Sequence, residues 1–432
     1  MRQILYVVLT VAMLAMAGCS VVEGPGEGAR APGVAVASEK ERVSSPDVPD
    51  RDLNLLIEGN SEFAFDLYRF LVEQEGDKNL FYSPYSISLA LAMTYAGARS
   101  ETEEEMAETL RFALLQEDLH PAFNALDQAL GERGEGAEGK DGGFRLNIAN
   151  AIWGQRDYQF LDSFLDVLAQ NYGAGLRVLD FAGAPEESRV TINEWVSEET
   201  EGKIEDLIPQ GGVDSLTRLV LTNAIYFNAA WANPFEEEAT EDGPFTLLDG
   251  SEISVPMMHQ EESFGHAEGE DYQAVELPYD GHELSMVIVM PEEGAFEAVE
   301  ASLDAERVGA IIEELDRRQV ALTMPRFEFD AEFGLKRALA ALGMPSAFSD
   351  AGDFSGMMGE RELFISEVLH KAFVSVDEEG TEAAAATAVV MKLLAVPDEA
   401  IEVTLDRPFL FLIHDIETGA ILFVGRVLDP SA

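Results

Sequence analysis

Apolar positions along the chain recur at two spacings, one helical and one extended. Between Glu62 and Val72 they stand three and four residues apart, which predicts a helix with one buried face and with Asn60 or Ser61 as its cap. Ser83-Pro84 opens a second helix with proline in its first turn, and Ser86–Tyr95 is apolar enough to lie at the centre of a fold. Ser100 or Thr102 can cap a third, acidic helix. Further helices are expected at Asp162–Asn171, within Ile192–Pro209 before a turn, at Ala301–Arg317 and at Phe333–Leu342. Strands are expected at Phe144–Trp153, Leu176–Phe181 and Val320–Glu328, and Tyr272–Pro291 predicts a hairpin turning at Tyr279–His282. Arg218–Phe227 is apolar along its length, as a strand covered on both faces would be. Ala372, Val374 and Val376 alternate with Phe373, Ser375 and Asp377, the period of a strand. The apolar runs Phe409–Ile413 and Ile421–Val424 flank a turn at Glu417-Thr418-Gly419. Gly131–Gly143 holds six glycines and predicts a loop. No repeat or second boundary interrupts the pattern after residue 52, so residues 53–432 are expected to form one domain of the α+β class.

The pattern before Leu53 is different. Met1-Arg2 precedes an apolar run from Ile4 to Ala17 that is too short to span a bilayer and has the form of a signal-peptide core. It ends Met16-Ala17-Gly18-Cys19, which resembles a bacterial lipoprotein box. That resemblance implies that residues 1–18 are a signal peptide and that Cys19 carries the lipid. Cys19 is the one cysteine in the chain, so no intramolecular disulfide can form. Residues 19–52, rich in Gly, Pro, Ser and charge, predict a flexible tether. The expected location is a bacterial cell envelope, anchored by lipid at the outer membrane on its periplasmic or surface face; the alternative is a secreted protein.

Charge narrows the set of partners. Acids number 81 against 28 bases, for a net charge of −53. Such a surface repels phosphate backbones, which argues against nucleic acid. The six histidines lie outside any HExxH pattern, a lone cysteine cannot build a thiolate cluster, and no GxSxG elbow occurs. No metal, cofactor or enzymatic activity is expected.

The stretch with the most to say is Glu378–Pro397, EEGTEAAAATAVVMKLLAVP, small-residued and strung between strands near the C-terminal end. Local propensity is divided: the four alanines Ala383–Ala386 favour helix, while the Thr and Val residues favour strand, and the plainest reading is one amphipathic or buried helix. Its flanks favour an extended segment. EEGTEAAAATA closely resembles the hinge of the reactive-centre loop of serpins. The string Val403-Thr404-Leu405-Asp406-Arg407-Pro408-Phe409-Leu410 resembles that family's C-terminal signature. Further strings resemble the family in its order, among them Asn79–Phe112, Ile192–Pro209, Val255–Met258 and Phe348–Met357, so that the resemblance covers about residues 55–430.

The resemblance implies a serpin fold: a large central five-stranded sheet with smaller sheets, about nine surrounding helices and an exposed reactive-centre loop. It implies a suicide-substrate inhibitor of a serine-type endopeptidase. The protease cuts the loop, the freed loop inserts into the sheet, and the tethered acyl-enzyme is distorted. Counting from Glu378 places the scissile bond at Leu394–Ala395, with Leu393 and Lys392 as rivals, while counting back from Pro408 places it nearer Pro397. A leucine there suits a serine protease of chymotrypsin-like or subtilisin-like specificity, or a cysteine protease. The hinge would comprise Glu378, Gly380, Thr381, Ala383, Ala384, Ala385, Ala386 and Thr387, with Thr381 free of the body before cleavage. Ser83, Ser86, Asn223 and His370 match a polar cluster beneath the opening of the sheet. Trp231, Arg326 and Glu378 match the point of loop entry, with Arg326 where the family often has lysine. The family's heparin-binding helix would fall near Glu101–Arg111, which is acidic here, so heparin is not expected to bind; a monomer is expected. The alternative is a non-inhibitory surface serpin acting as a binding protein. The anchor is directly testable. Cys19→Ser is expected to move the protein from the membrane to the soluble fraction, because lipidation holds a chain firmly only while the acyl groups are present. Recovery of wild type and variant alike as soluble protein on fractionation would contradict it.

Overall fold

The computed structural model describes residues 34–133, 145–381 and 400–432. The expected signal peptide, Cys19, the core of the glycine-rich loop and residues 382–399 lie outside them. Ten α-helices occur among the described residues, where about nine were expected. In chain order the first elements are β1 (Val34–Val36), α1 (Asp50–Glu75), β2 (Leu80–Tyr82), α2 (Pro84–Tyr95), α3 (Ser100–Thr109) and α4 (Gln116–Gly131). Then come β3 (Arg145–Gln155), α5 (Asp162–Tyr172), β4 (Leu176–Leu179), α6 (Pro185–Glu199) and β5 (Leu219–Ala230). The middle of the chain is β6 (Glu241–Thr246), β7 (Glu252–Glu268), β8 (Tyr272–Pro278), β9 (Leu284–Pro291), α7 (Phe296–Ser302) and α8 (Ala305–Glu313). It ends with β10 (Asp316–Pro325), β11 (Phe327–Gly334), α9 (Lys336–Leu342), α10 (Ser355–Met358), β12 (Glu367–Val376), β13 (Gly380–Thr381), β14 (Ile401–Thr404), β15 (Phe409–Asp415) and β16 (Ile421–Val427).

Two sheets share one core. The large sheet runs β1-β4-β3-β5-β13-β12-β11. Its five expected strands are β4, β3, β5, β12 and β11, and two short segments have been added, one at the edge and one in the middle. The second sheet runs β14-β10-β7-β8-β9-β15-β16-β2, with β6 on β7. Strand β5 shows why Arg218–Phe227 is apolar on both faces. Leu219, Leu221, Ile225 and Phe227 enter the main core, while Val220 and Ala224 join a second cluster with Trp153, Ile192, Trp195 and Val196. Helix α6 covers that second face. On the first face lies α2, buried along its whole length from Pro84 to Tyr95 and packed on β3, β5 and β16. Its cap is as expected, with Ser83 accepting the Ser86 amide.

Several expectations are corrected. The later part of the expected tether is docked: β1 pairs antiparallel with β4 at the sheet edge. Arg42 there donates to Asn124 at 2.7 Å and to Asp127 at 2.6 Å, and Lys40 pairs with Asp166 at 2.8 Å. Helix α1 starts at Asp50, so Asn60 and Ser61 lie inside it. Asn60 is buried and accepts from Ser88, and Ser61 donates back to Ile57; neither is a cap. Ser100 and Thr102 likewise serve tertiary bonds, to Asp353 and Ser346. The helix expected over Ala301–Arg317 breaks at Leu303, because Asp304 caps a fresh helix by accepting the Arg307 amide. Phe333 belongs to β11 rather than to the helix that follows.

Candidate loop-entry site and sheet-opening cluster

The site lies where β5 and β12 part. The two strands are paired in parallel from Val220 to Tyr226 and from Glu367 to Phe373. Beyond that point β13 sits between them. Gly380 and Thr381 pair antiparallel with Ala230 and Ala229 on one side, and Thr381 pairs with Val376 on the other. A glycine is required at 380 by close approach, since a Cβ there would lie 2.2 Å from the Ala229 carbonyl oxygen. The expectation that Thr381 is free of the body is corrected: it is fully buried. Its hydroxyl lies 2.9 Å from that of Tyr279, which the sequence reading had placed only in a hairpin turn.

A tight turn delivers the chain to this slot. Asp377 Oδ1 accepts the amides of Glu379 at 2.9 Å and Gly380 at 3.2 Å. Trp231 clamps the turn from both ends, its indole donating to the Asp377 carbonyl at 3.0 Å and its amide to the Glu379 carbonyl at 2.9 Å. The Trp231 ring lies flat on Tyr279, with centroids 4.7 Å apart. Glu378 is 2% exposed. Its Oε1 accepts from Arg326 Nε at 2.7 Å, from the second guanidinium nitrogen and from the Thr240 hydroxyl. Burial raises the carboxyl's pKa, but the hydrogen bonds from Arg326 and Thr240 outweigh it and hold Glu378 below its ordinary range. A buried carboxylate that lost Arg326 would be strongly destabilising. The structure thus brings Trp231, Arg326 and Glu378 together, and adds Thr240, Tyr279 and Asp377, which the sequence reading missed.

Lower on the seam, a polar row crosses the sheet. Asn150 on β3 stands opposite Asn223 on β5, and Asn223 stands opposite His370 on β12. The Ser83 amide, which can only donate, reaches His370 Nε2 at 3.3 Å. The ring proton therefore sits on Nδ1, facing Asn223 Oδ1. Asn223 donates to Ser86 Oγ at 2.5 Å and also to Asn150 Oδ1. Asn150 donates to the Ser86 carbonyl at 3.1 Å. All four expected residues, Ser83, Ser86, Asn223 and His370, meet here, and Asn150 completes the row. Its signal was legible in the strand period of Phe144–Trp153. Phe333 lies parallel to the His370 ring at 6.2 Å on the remaining side. Burial lowers the His370 pKa to about 3, which keeps it the neutral donor and acceptor the row needs.

A family model described as serpin, serine protease inhibitor, matches residues 58–430. The chain belongs to the serpin family. The leukocyte elastase inhibitor of Bos taurus is 41% identical over 381 residues, covering 86% of this serpin and 98% of that protein. A serpin-like protein of Thermococcus kodakarensis is 41% identical over 374 residues, covering 86% and 85%. Among solved structures, human thyroxine-binding globulin complexed with thyroxine matches with a TM-score of 0.79 at 32% identity, covering 88% of this chain and 99% of that one. Uncleaved ovalbumin matches with 0.78 at 27%, covering 87% and 100%. The fold is therefore that of a family whose relatives carry names for different tasks. Ala383, Ala384, Ala385, Ala386, Thr387, Leu394 and Ala395 lie outside the described residues of this serpin.

The polar row makes stability depend on pH. His370 is neutral in the fold and regains an ordinary pKa near 6.5 when the fold opens. Its contribution is therefore present above pH 6.5 and is lost as pH falls from 6.5 toward 3. At pH 5 the loss amounts to about 2 kcal/mol. His370→Gln keeps a donor and an acceptor but cannot titrate. In urea unfolding at pH 7 and pH 5, wild type is expected to lose about 2 kcal/mol more than this variant; equal losses would contradict the assignment.

Proposed function

We propose that this serpin is an inhibitor of serine-type endopeptidases that acts as a suicide substrate, cut near Leu394–Ala395 and completed by loop insertion between β5 and β12. The observation that carries the reading is the position of Thr381, already seated in that slot in antiparallel register with both neighbours. Continued at the same register, Ala383 would fall opposite Phe227 and Val374, Ala385 opposite Ile225 and Ala372, and Thr387 opposite Asn223 and His370. These residues share one face of an extended strand with Thr381, and none is charged.

Thr387 is the telling member of the series. An entering strand must separate Asn223 from His370, whose hydrogen bond closes the seam. It would bring a hydroxyl, able to donate and accept, to the place where those two groups lose each other. A chain of alanines alone would leave Asn223 Oδ1 and His370 Nδ1–H without a partner in a buried site, at about 1–3 kcal/mol for each. Fourteen residues from Thr381 to Leu394 span roughly 45 Å as a strand, enough to carry an attached enzyme the length of the sheet. The protein would then be consumed as a substrate analogue and would catalyse nothing itself. The names of the leukocyte elastase inhibitors support this reading over that of a surface binding protein. The lipid anchor at Cys19 and a place in a bacterial envelope remain part of the proposal.

Incubation with chymotrypsin-like and subtilisin-like proteases is expected to give an SDS-stable complex and to release a C-terminal peptide beginning at Ala395. A peptide starting at Leu393 or Leu394 would move the bond. Thr387→Val is expected to form complexes less efficiently, with more of the protein cut and released, while the rate of first cleavage is unchanged. Clean turnover of wild type as a substrate by every protease tried would contradict inhibition.

A further inference from the structure

Tyr279 is built into the entry slot. Its ring is 1% exposed. It lies flat on Trp231 at 4.7 Å and edge-on to Phe227 at 5.1 Å. Its backbone is pinned by a hydrogen bond that its N–H donates to the Leu284 carbonyl at 2.9 Å and by a β-bridge to Trp231. The ring therefore cannot swing away without unpacking the junction of the two sheets. Among the described residues its hydroxyl makes one hydrogen bond, to the Thr381 hydroxyl at 2.9 Å. Thr381 in turn is fully buried and contributes the other half of that pair.

We propose that Tyr279 is a positioning residue that receives the Thr381 hydroxyl and holds the root of the loop inside the large sheet of the intact protein. Two buried hydroxyls satisfy each other, and removal of either leaves the other unpaired. The same pairing sets a chemical requirement on residue 381: small, and bearing a hydroxyl at its β-carbon. Insertion then starts from a residue that is already seated, which favours insertion in its race with deacylation. This kinetic consequence rests on the inhibitory reading above, whereas the seating itself does not.

The test uses the intact full-length chain with Tyr279→Phe, Thr381→Val and the double variant. Amide hydrogen exchange at Gly380 and Thr381 is expected to rise on the order of tenfold in each single variant. It is expected to return toward the wild-type rate in the double variant, where two apolar groups face each other. The β8–β9 hairpin should keep its protection throughout. Unchanged exchange at residues 380 and 381 in both single variants would overturn the proposal, as would a uniform rise that includes the hairpin or a double variant as fast as the sum of its parts. A second arm measures inhibition. Tyr279→Phe is expected to raise the number of serpin molecules consumed per protease at least twofold, with the association rate within twofold of wild type. If the exchange pattern holds but wild type forms no stable complex, the inhibitory reading fails and the seating stands. If complexes form but exchange does not respond, the role of Tyr279 fails and inhibition stands.

Discussion

The seam between β5 and β12 is the constraint on which the rest of this structure depends. Two neighbouring strands in the middle of a large sheet run parallel for seven residue pairs and then part. Parallel ladders are slightly weaker per residue than antiparallel ones. A strand entering between them antiparallel to both would replace one parallel ladder with two antiparallel ones. The intact fold holds the seam closed with side chains, through the row Asn150–Asn223–His370 and the serines at the start of α2. It also holds the gap above the seam with the first two residues of the loop. Glu378, buried and bonded by Arg326 and Thr240, fixes where the chain turns toward the slot.

These two polar groups act differently. The Glu378 cluster ties the loop's origin to residues outside the two seam strands, Arg326 between β10 and β11 and Thr240 just before β6. The His370 row joins the two strands that the proposed insertion would separate. Its hydrogen bonds are short-range and specific, so on the proposed mechanism the seam would have two satisfied states, closed on itself or closed on an entering strand, and a poor state between them. Burial of His370 deepens this contrast by keeping the ring neutral.

Much of the fold was legible in the sequence, and the failures have physical causes. The long apolar run of β5 announced a strand covered on both faces, and Ser83-Pro84 announced the start of α2 correctly. Asn60 and Ser100 misled because a polar side chain before an apolar run serves a tertiary bond as readily as a cap. The break at Leu303 was hidden because the apolar spacing continues across it, and Asp304 was not read as a cap. Val34–Val36 was absorbed into a tether by its Gly- and Pro-rich surroundings, while the strand at the edge of the large sheet that receives it cannot be seen locally. In the site, the motif residues were legible one by one. What the sequence could not show is that register joins them: Asn150 to Asn223 to His370, and Thr381 to Tyr279 from the other sheet.

On the proposed mechanism the closed seam is less stable than the seam with a strand in it. Nicking the loop with a catalytic trace of protease and comparing the melting of intact and nicked protein measures this directly. The inserted strand should raise the midpoint by on the order of 10 °C or more, since several kcal/mol of added stability shift a chain of this size by that much. Equal midpoints, or a lower one for the nicked protein, would contradict it.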